Sequence, residues 1–209
     1  MPVRLLPFGV YSARANMVLD ILLQQRAREN LSPATFRLYG WSEPTLSLGK
    51  GQRETQIEKV RPEGDSSFAI VQRPTGGAVA VHGRDISYAL TSAFPGEDLP
   101  RSPKQLYRKI HRGIFKALQS LGCDVTSVGE NEGEDYLPKI YCGLSHRPYD
   151  IVHQGRKVAG SAQRLSSRAI LQHGFILIDE DFSWVRQALG ERGKEIARSC
   201  ATLMDMLPE

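Results

Sequence analysis

The chain has 209 residues, is 41% hydrophobic and 24% charged, and carries a formal net charge of +4. This composition is typical of a soluble globular domain, and no apolar run approaches the roughly 18–20 residues of a membrane-spanning helix. The charge is too small to indicate nucleic-acid binding by itself, so we expect neither nucleic acid nor membrane as a partner.

The length suits one well-buried domain over residues 1–209, with no accessory C-terminal domain. Three cysteines are few and odd in number, which favours free thiols in a reducing compartment over a disulfide framework. The N-terminus lacks the apolar core of a signal peptide. We therefore expect a cytoplasmic protein.

The first half of the chain alternates between helix and strand patterns. A helix is predicted over 12–29, where Ser12 can cap the start and apolar residues recur at helical spacing at Ala15, Val18, Leu19, Leu22 and Leu23. Strands are predicted over 36–41, 45–48, 68–71, 78–81 and 86–91, with a short helix over 52–60.

The second half contains the clearest hairpin. A helix is predicted over 103–121, with Gly122 at its end and an apolar stripe at Leu106, Ile110, Ile114, Ala117, Leu118 and Leu121. Strands are predicted over 123–128, 140–142 and 149–152, a hairpin over 155–178, and helices over 182–189 and 195–206. The order predicts an α/β (α+β) domain with a mixed, mostly antiparallel sheet flanked by helices.

A glycine-rich segment at residues 73–77 connects two of these strands. Pro74 fixes one backbone angle, while Gly76 and Gly77 permit left-handed geometry, so successive N–H groups can point into one anion-binding concavity. Arg73 could add a charge that pairs with a phosphate or carboxylate. The structural alternative is a tight hairpin turn. It is not a P-loop, since no Gly-Lys-Ser/Thr follows.

The second candidate is a cysteine and a lysine fifteen positions apart. A thiol reacts as its thiolate, which a nearby ammonium favours, so Cys142 and Lys157 could form a nucleophilic pair. Small residues beside the lysine, Gly160 and Ser161, would let a ligand come close. The alternatives are a buried thiol and a solvated lysine. Cys142 precedes a polar loop and is expected near solvent, whereas Cys123 and Cys200 are expected to be packing residues.

Histidines and carboxylates give weaker signals. His82 and His173 could transfer a proton, but hydrogen-bonded structural histidines are commoner. No group of His, Cys and carboxylates has metal-site spacing, so we expect no metal. Four carboxylates are interpreted as caps or solvated side chains: Asp150, Asp179, Glu180 and Asp181.

These motifs resemble a known family. Residues 73–82, from Arg73 to His82, resemble the glycine-loop signature of the biotin/lipoate protein ligase superfamily. Residues 155–164 and 170–174 resemble its lysine motif and the strand that follows. Residues 16–17, 36–41 and 47–49 are similar as well, so the resemblance runs from about 16 to 179.

The resemblance implies a mixed α/β catalytic core that transfers an octanoyl or lipoyl group to a lysine of a lipoyl-type domain. Lipoate–protein ligases activate free octanoate or lipoate with ATP and Mg²⁺ through an acyl-adenylate. Cysteine-dependent octanoyltransferases need no cofactor and take the acyl group from acyl carrier protein as a thioester. Cys142, fifteen residues before Lys157, favours the transferase over the ligase. A non-catalytic lipoyl-domain-binding module is a third possibility.

The resemblance also implies roles for individual residues. Cys142 and Lys157 would be catalytic, with Lys157 and the loop N–H groups stabilising an oxyanion. Lys157, given a lowered pKa, would then take the proton of the incoming amine. The acyl chain would lie in an apolar tunnel beside the two glycine segments. The residues expected to bind substrate are Arg73, Thr75, Gly76, Gly77, Ala78, His82, Gly160, Ser161, Ala162 and His173.

Overall fold

The structure is a computed structural model that describes residues 3–53, 68–96, 99–100, 102–129, 141–144, 146–179 and 182–207. Its strands are β1 (Arg4–Tyr11), β2 (Thr35–Trp41), β3 (Thr45–Leu48), β4 (Ala69–Gln72), β5 (Ala80–His82), β6 (Asp85–Ala93), β7 (Thr126–Ser127), β8 (Ile151–His153), β9 (Arg156–Leu165) and β10 (Ala169–Leu177). Its helices are α1 (Ala13–Arg28), α2 (Pro103–Ser120) and α3 (Ser183–Ser199), with 3₁₀ turns at Cys142–Leu144 and Leu203–Asp205.

The strands form two sheets. The larger has the order β1-β2-β6-β10-β9-β8-β7, and all its neighbouring strands are antiparallel except β1 and β2. This confirms the predicted mixed, mostly antiparallel sheet flanked by helices. A smaller sheet of order β4-β3-β5 was not anticipated. The predicted strands near 45–48, 68–71 and 78–81 therefore belong to a sheet of their own.

Helices α1 and α2 lie on opposite faces of the larger sheet. Ala89 and Leu171 pack in one cluster with Met17 of α1, whereas Leu90 and Ile170 pack in another with Leu106 of α2. Successive strand residues point to opposite faces, so each helix covers one face of β6 and β10.

The predicted apolar stripe of α1 is only partly right, since Leu23 is buried and Ala15 and Leu19 are partly buried. Val18 and Leu22 are 44% and 48% exposed, and the buried face holds polar side chains spaced four residues apart, namely Asn16, Asp20 and Gln24. Buried polar groups are tolerated only when they are hydrogen-bonded. Arg37 of β2 meets this requirement, since its guanidinium donates to both Asn16 and Asp20.

The predicted ends of two helices are confirmed. The backbone N–H of Ala15 donates to the Ser12 hydroxyl over 3.3 Å, which caps α1. Gly122 follows α2 with φ of 84°, the left-handed geometry that favours glycine there. The stripe of α2 is partly right: Leu106 and Leu118 are buried, whereas Ala117 and Leu121 are exposed. No helix in the described ranges is long and apolar enough to cross a membrane.

The C-terminal elements differ from the prediction. The helices expected over 182–189 and 195–206 are one helix, α3, which kinks at Gly190 and ends at Ser199. Cys200 is instead extended and forms a bridge with Lys157 of β9. This bridge anchors the end of α3 to the strand that carries the lysine.

Other differences concern short or exposed strands. β1 was missed because its residues are exposed or only partly buried and show no alternation of apolar and polar positions. β7 is limited to Thr126–Ser127 within the predicted 123–128. Of the predicted strand over 140–142, Ile140 lies outside the described residues, Tyr141 forms an isolated bridge with Val79, and a 3₁₀ turn begins at Cys142. Most of the predicted 52–60 helix also lies outside them.

The long hairpin is confirmed. β9 and β10 pair with Gly160 opposite Phe175 and Ser161 opposite Gly174. β8 joins β9 through a turn in which Gln154 and Gly155 both have positive φ, as a two-residue hairpin turn requires. The hairpin thereby places the lysine of β9 inside the molecule.

Candidate active site

The centre of the site is the Lys157 side chain, which is buried at 1% exposure. Its Nζ atom lies 2.7 Å from Oδ2 of Asp150, 3.0 Å from the carbonyl oxygen of Cys142 and 3.8 Å from the Cys142 sulfur. An ammonium has three N–H donors. Each can therefore be assigned to one of these three acceptors.

Cys142 is held by the end of the glycine loop. Its backbone N–H donates to the carbonyl of Val79 over 2.7 Å, and the preceding Tyr141 forms a parallel bridge with Val79. Its side chain is only partly buried. The structure thus brings the predicted cysteine and lysine together, and the cysteine is the more exposed of the two.

Asp150 is a buried part of this site, and its interpretation as a cap or solvated carboxylate is wrong. It is 1% exposed and accepts hydrogen bonds from the Tyr107 hydroxyl over 3.0 Å and the Arg147 backbone over 2.9 Å, besides its ion pair with Lys157. Tyr107 comes from α2, far away in sequence. The fold brings these partners together, so no local pattern identifies the carboxylate.

The pKa of Lys157 is raised, which corrects the expectation of a lowered value. Burial alone lowers this pKa, but the negative charges of the Cys142 thiolate and Asp150 outweigh the cost of burial. Lys157 therefore stays an ammonium at neutral pH. It can donate hydrogen bonds and stabilise negative charge, but it does not start as a general base.

The glycine loop is shaped by Arg73. Its Nη1 donates to the Ser47 carbonyl over 2.6 Å, and its Nη2 donates to the carbonyls of Gly76 and Ala78 over 2.9 and 2.6 Å. The loop connects β4 to β5, and β3 lies between these two strands in the smaller sheet. The loop must therefore cross the end of β3. The structural alternative of a tight hairpin turn is therefore wrong.

Gly77 and Gly49 allow the loop to pack closely. Gly77 has φ of 96°, and a Cβ at Gly49 would lie 1.9 Å from the Gly77 carbonyl oxygen. A side chain at Gly49 is excluded by contact, and one at Gly77 is disfavoured by backbone geometry. Gly76 has open space around its Cβ position. Within the loop, the backbone conformation of Gly77 therefore favours glycine, whereas the surroundings of Gly76 leave room for a side chain.

Thr75 and His173 connect the loop to α1. His173 Nε2 lies 2.7 Å from the Thr75 hydroxyl, and its Nδ1 lies 2.7 Å from Asp20, which also pairs with Arg37. Burial lowers the pKa of His173, so its neutral ring donates through Nδ1 to Asp20 and accepts at Nε2 from Thr75. These buried hydrogen bonds hold Thr75 of the loop to β10 and α1.

His82 also lies in a buried network. Its Nε2 lies 2.8 Å from the Ser47 hydroxyl, its Nδ1 lies 3.1 Å from Asp85, and its ring stacks on Trp41 at a centroid distance of 4.2 Å. Ser47 also provides the carbonyl that accepts from Arg73. His82 therefore supports the base of the loop through β3.

Gly160, Ser161 and Ala162 follow the lysine along β9. A Cβ at Gly160 would lie 3.6 Å from Lys157 Nζ, so this glycine lies directly against the ammonium. Ala162 is partly buried and pairs with His173 across the hairpin. Ser161 is partly buried and connects β9 to α2.

A chain of hydrogen bonds runs through Ser161. The neutral His111 ring donates from Nδ1 to the Tyr149 carbonyl over 2.7 Å and accepts at Nε2 from the Ser161 hydroxyl over 2.7 Å. Ser161 accepts from Tyr88 over 2.6 Å, and Tyr88 accepts from Gln172 over 3.0 Å. Burial lowers the pKa of His111 to about 4 and raises that of Tyr88 to about 12. Both groups are therefore neutral at pH 7.

Sequence reasoning missed this network. Tyr107 and His111 lie four residues apart on α2, immediately beside the apolar positions Leu106 and Ile110. Polar aromatic residues at i and i+4 next to a buried stripe are the signal that points to a partly buried polar face. Asn16, Asp20 and Gln24 on α1 give the same kind of signal.

An apolar cavity lies between the two sheets beside the cysteine. Tyr141 contributes to its wall next to Cys142, and Cys200, which bridges to Lys157, contributes on another side. Its lining comprises Val79, Val81, Tyr141, Phe175, Leu177, Phe182, Ile196 and Cys200. These residues differ from the Gly76–Gly77 and Gly160–Ser161 segments that the tunnel prediction named.

The other cysteines are packing residues, as predicted. Cys123 and Cys200 are each 5% exposed and belong to apolar clusters. Burial raises the pKa of Cys200 to about 12, so it remains a thiol. In the part of the chain that the structure describes, no group of three His, Cys, Asp or Glu residues could hold a metal ion.

Comparison with known proteins identifies related sequences. A family model described as the lipoyl protein ligase A/B catalytic domain matches residues 12–207. The chain is 38% identical to the octanoyltransferase LipM of Halalkalibacterium halodurans, covering 79% of this chain and 62% of that protein. It is 37% identical to LipM of Kyrpidia tusciae, covering 85% and 66%, so it spans slightly less than two thirds of both relatives. It is 33% identical to LipM of Anoxybacillus flavithermus, covering 99% and 78%.

Solved structures show the same fold. A lipoate-protein ligase A bound with ATP has a TM-score of 0.68 at 18% identity, covering 98% of this chain and 77% of that chain. A bipartite lipoate protein ligase from Thermoplasma acidophilum has a TM-score of 0.67 at 15% identity, covering 100% and 77%. At these identities the similarity shows the fold alone.

Proposed function

The chain belongs to the lipoyl protein ligase A/B catalytic domain family, and on that premise we propose that it transfers an octanoyl group from acyl carrier protein to a lipoyl-domain lysine. The acyl group passes through a thioester on Cys142. The observation that carries this proposal is the Lys157 ammonium, which lies 3.8 Å from the Cys142 sulfur and is fixed by Asp150.

In the first step the Cys142 thiolate attacks the carbonyl carbon of the donor thioester. A bond forms between the Cys142 sulfur and that carbon, and the bond to the carrier sulfur breaks. The carrier leaves as a thiolate. The neighbouring positive charge of Lys157 stabilises the attacking thiolate before the reaction.

Lys157 acts mainly on the tetrahedral intermediate. As the sulfur becomes bonded to carbon it loses its negative charge, and the carbonyl oxygen gains one. The N–H that points to sulfur can then move to the oxyanion, while the other two remain on Asp150 and the Cys142 carbonyl. One oxyanion donor typically lowers the activation barrier by about 2.7–4 kcal/mol.

In the second step the neutral ε-amine of the acceptor lysine attacks the acyl-enzyme. An amide bond forms, the carbon–sulfur bond to Cys142 breaks, and the proton lost by the amine ends on the Cys142 sulfur. Lys157 need not accept this proton, because its ion pair with Asp150 holds it as an ammonium. It serves as a fixed cation in both steps.

Asp150 is a positioning residue in this scheme. It keeps the ammonium charged despite burial and fixes its direction through a 2.7 Å contact. Its other partners, Tyr107 and Arg147, hold the carboxylate itself in place. The lysine therefore needs little reorganisation when the oxyanion forms.

The octanoyl chain has apolar side chains to lie against. The cavity beside Cys142 is lined by Val79 and Tyr141 on the side of the glycine loop and by Phe175 and Leu177 of β10. Burying a methylene group contributes about 0.8 kcal/mol. The cavity as it stands has room for about one water molecule, so binding an eight-carbon chain there requires these side chains to move apart.

Mass analysis of an isolated lipoyl domain tests the proposed reaction. The enzyme and the domain are incubated either with octanoyl-acyl carrier protein, or with free octanoate, ATP and Mg²⁺. We expect the domain to gain one octanoyl group only from the carrier protein, and Cys142→Ala to abolish that gain.

Two other results would overturn the proposal. A gain from octanoate and ATP that survives Cys142→Ala would show an ATP-dependent ligase. No gain from either donor would support a binding module that carries out no transfer.

A further inference from the structure

The outward face of α2 carries a ridge of cations at four-residue intervals. Lys104, Arg108, Arg112 and Lys116 are all exposed, and we call these four residues the α2 ridge. A rise of 1.5 Å per residue makes the ridge about 18 Å long. Lys109 lies beside it, so the helix carries five cations and no Asp or Glu.

This arrangement is unfavourable for the isolated helix. Like charges at i and i+4 face each other and destabilise a helix. No ion pair joins Arg108, Lys109, Arg112 or Lys116 to a carboxylate of the described residues. By comparison, α3 pairs Arg192 with Glu195 and Lys194 with Glu191. Arg108, Arg112 and Lys116, which pair with no carboxylate of the described residues, fit a surface that an acidic partner completes.

The ridge lies beside the candidate active site. Tyr107 and His111, each one residue before a ridge cation, contact Asp150 and Ser161. The Arg108 guanidinium lies 5.7 Å from the centre of the Tyr149 ring, in the segment that leads to Asp150. A protein docked on the ridge would therefore lie at the edge of the site and could reach it with a flexible arm.

We propose that the α2 ridge docks the acidic carrier protein that delivers the acyl thioester. This inference rests on the proposed function and names the surface that its donor uses. In the family that this chain resembles, both substrates tend to be acidic proteins, but the acceptor must also bring a lysine ammonium, which the ridge repels. The donor brings an uncharged thioester on an acidic protein, which the ridge attracts and steers.

Charge reversal tests the surface against a matched control. Arg112→Glu with Lys116→Glu reverses two ridge cations that touch no residue of the site described above. Arg14→Glu with Arg28→Glu makes the same change in net charge on α1, which lies on the other face of the sheet. Affinity for octanoyl-acyl carrier protein is measured directly for each protein at two salt concentrations. The rate of Cys142 acylation is measured with the carrier protein and with a small uncharged octanoyl thioester.

We expect the ridge variant to bind the carrier at least tenfold more weakly than wild type and to lose most of the salt dependence. Its acylation by the small thioester should stay within twofold of wild type, and the α1 variant should match wild type throughout. Equal weakening by both variants would overturn the proposal, as would a loss of affinity for the lipoyl domain alone. If wild type binds the carrier but Cys142 is never acylated, the proposed reaction fails while the docking result still stands.

Discussion

The Lys157 ammonium and the Asp150 carboxylate form an ion pair of 2.7 Å in which both side chains are at most 2% exposed. An isolated lysine at this depth would lose its charge, because burial lowers its pKa. The negative charges of the Cys142 thiolate and of Asp150 together raise the pKa of the lysine and keep it protonated. The chemistry of the site therefore depends on a carboxylate that does not touch the substrate.

Replacing Asp150 by Asn should reduce both stability and acylation. The change removes the carboxylate that is ion-paired with the buried Lys157, and breaking a buried ion pair in this way costs about 3 kcal/mol or more. The pKa of Lys157 should fall, so acylation should become pH-dependent in the range where the wild-type lysine stays charged. Urea unfolding and acylation rates between pH 6 and 9 measure the two effects.

Asp179→Asn is the matched control for that experiment. Asp179 pairs with Arg84 at the surface, where both side chains are largely exposed, and such pairs contribute about 0–1 kcal/mol. A positioning role for Asp150 would be contradicted if its variant were destabilised but kept the wild-type pH profile of acylation.

The two loop glycines should respond differently to alanine. Gly77→Ala places a side chain at φ of 96° and 3.0 Å from the Arg73 guanidinium, whereas Gly76→Ala meets no atom within 4 Å. We expect Gly77→Ala to cost about 1–3 kcal/mol of stability and to slow acylation, because the loop end holds Cys142 through Val79. Gly76→Ala should unfold and react like wild type. Thermal unfolding and acylation rates of the two variants decide this, and equal effects would be inconsistent with the loop geometry.

Protonation of His111 should destabilise the protein in mild acid. Its pKa is lowered from 6.5 to about 4 mainly by burial, so the unfolded chain binds its proton more readily than the folded one. The contribution of neutral His111 to the free energy of unfolding is fully present above pH 6.5 and is lost as the pH falls towards 4. The loss between pH 7.5 and 5 is about 2 kcal/mol.

His111→Gln isolates this contribution. The variant should be less stable at pH 7.5, because it loses hydrogen bonds, but its further loss on going to pH 5 should be smaller by about 2 kcal/mol. Urea unfolding at both pH values gives the comparison. Equal losses in wild type and variant would show that His111 does not titrate as a buried neutral group.

Local sequence patterns were sufficient for much of the fold. Alternation and turn residues predicted the hairpin of β9 and β10, and Ser12 and Gly122 correctly located helix ends. The second sheet was not predictable in this way, because β3, β4 and β5 are short and their pairing depends on contacts between distant segments. The polar part of the face that α1 buries was also missed, since its hydrogen-bond partners are Arg37 of β2, Arg164 of β9 and His173 of β10.

The site was only partly predictable for the same reason. Cys142 and Lys157 were found because their residue types carry recognisable chemistry, and the structure brings them together. Asp150 was misjudged because a carboxylate in a loop sequence is normally solvated. Only the packing of α2 against the sheet shows that the Tyr107 hydroxyl donates a hydrogen bond to this carboxylate. Burial and long-range partners, which set the charge state of Lys157, are not local properties of the sequence.

The thioester mechanism depends most directly on acylation of one sulfur. The measurement is intact mass of the protein after incubation with octanoyl-acyl carrier protein without ATP, followed by peptide mapping. We predict a single octanoyl adduct on Cys142, which is lost on addition of a lipoyl domain and does not form in Cys142→Ala. An unmodified Cys142, under conditions where the lipoyl domain still becomes octanoylated, would contradict the thioester mechanism.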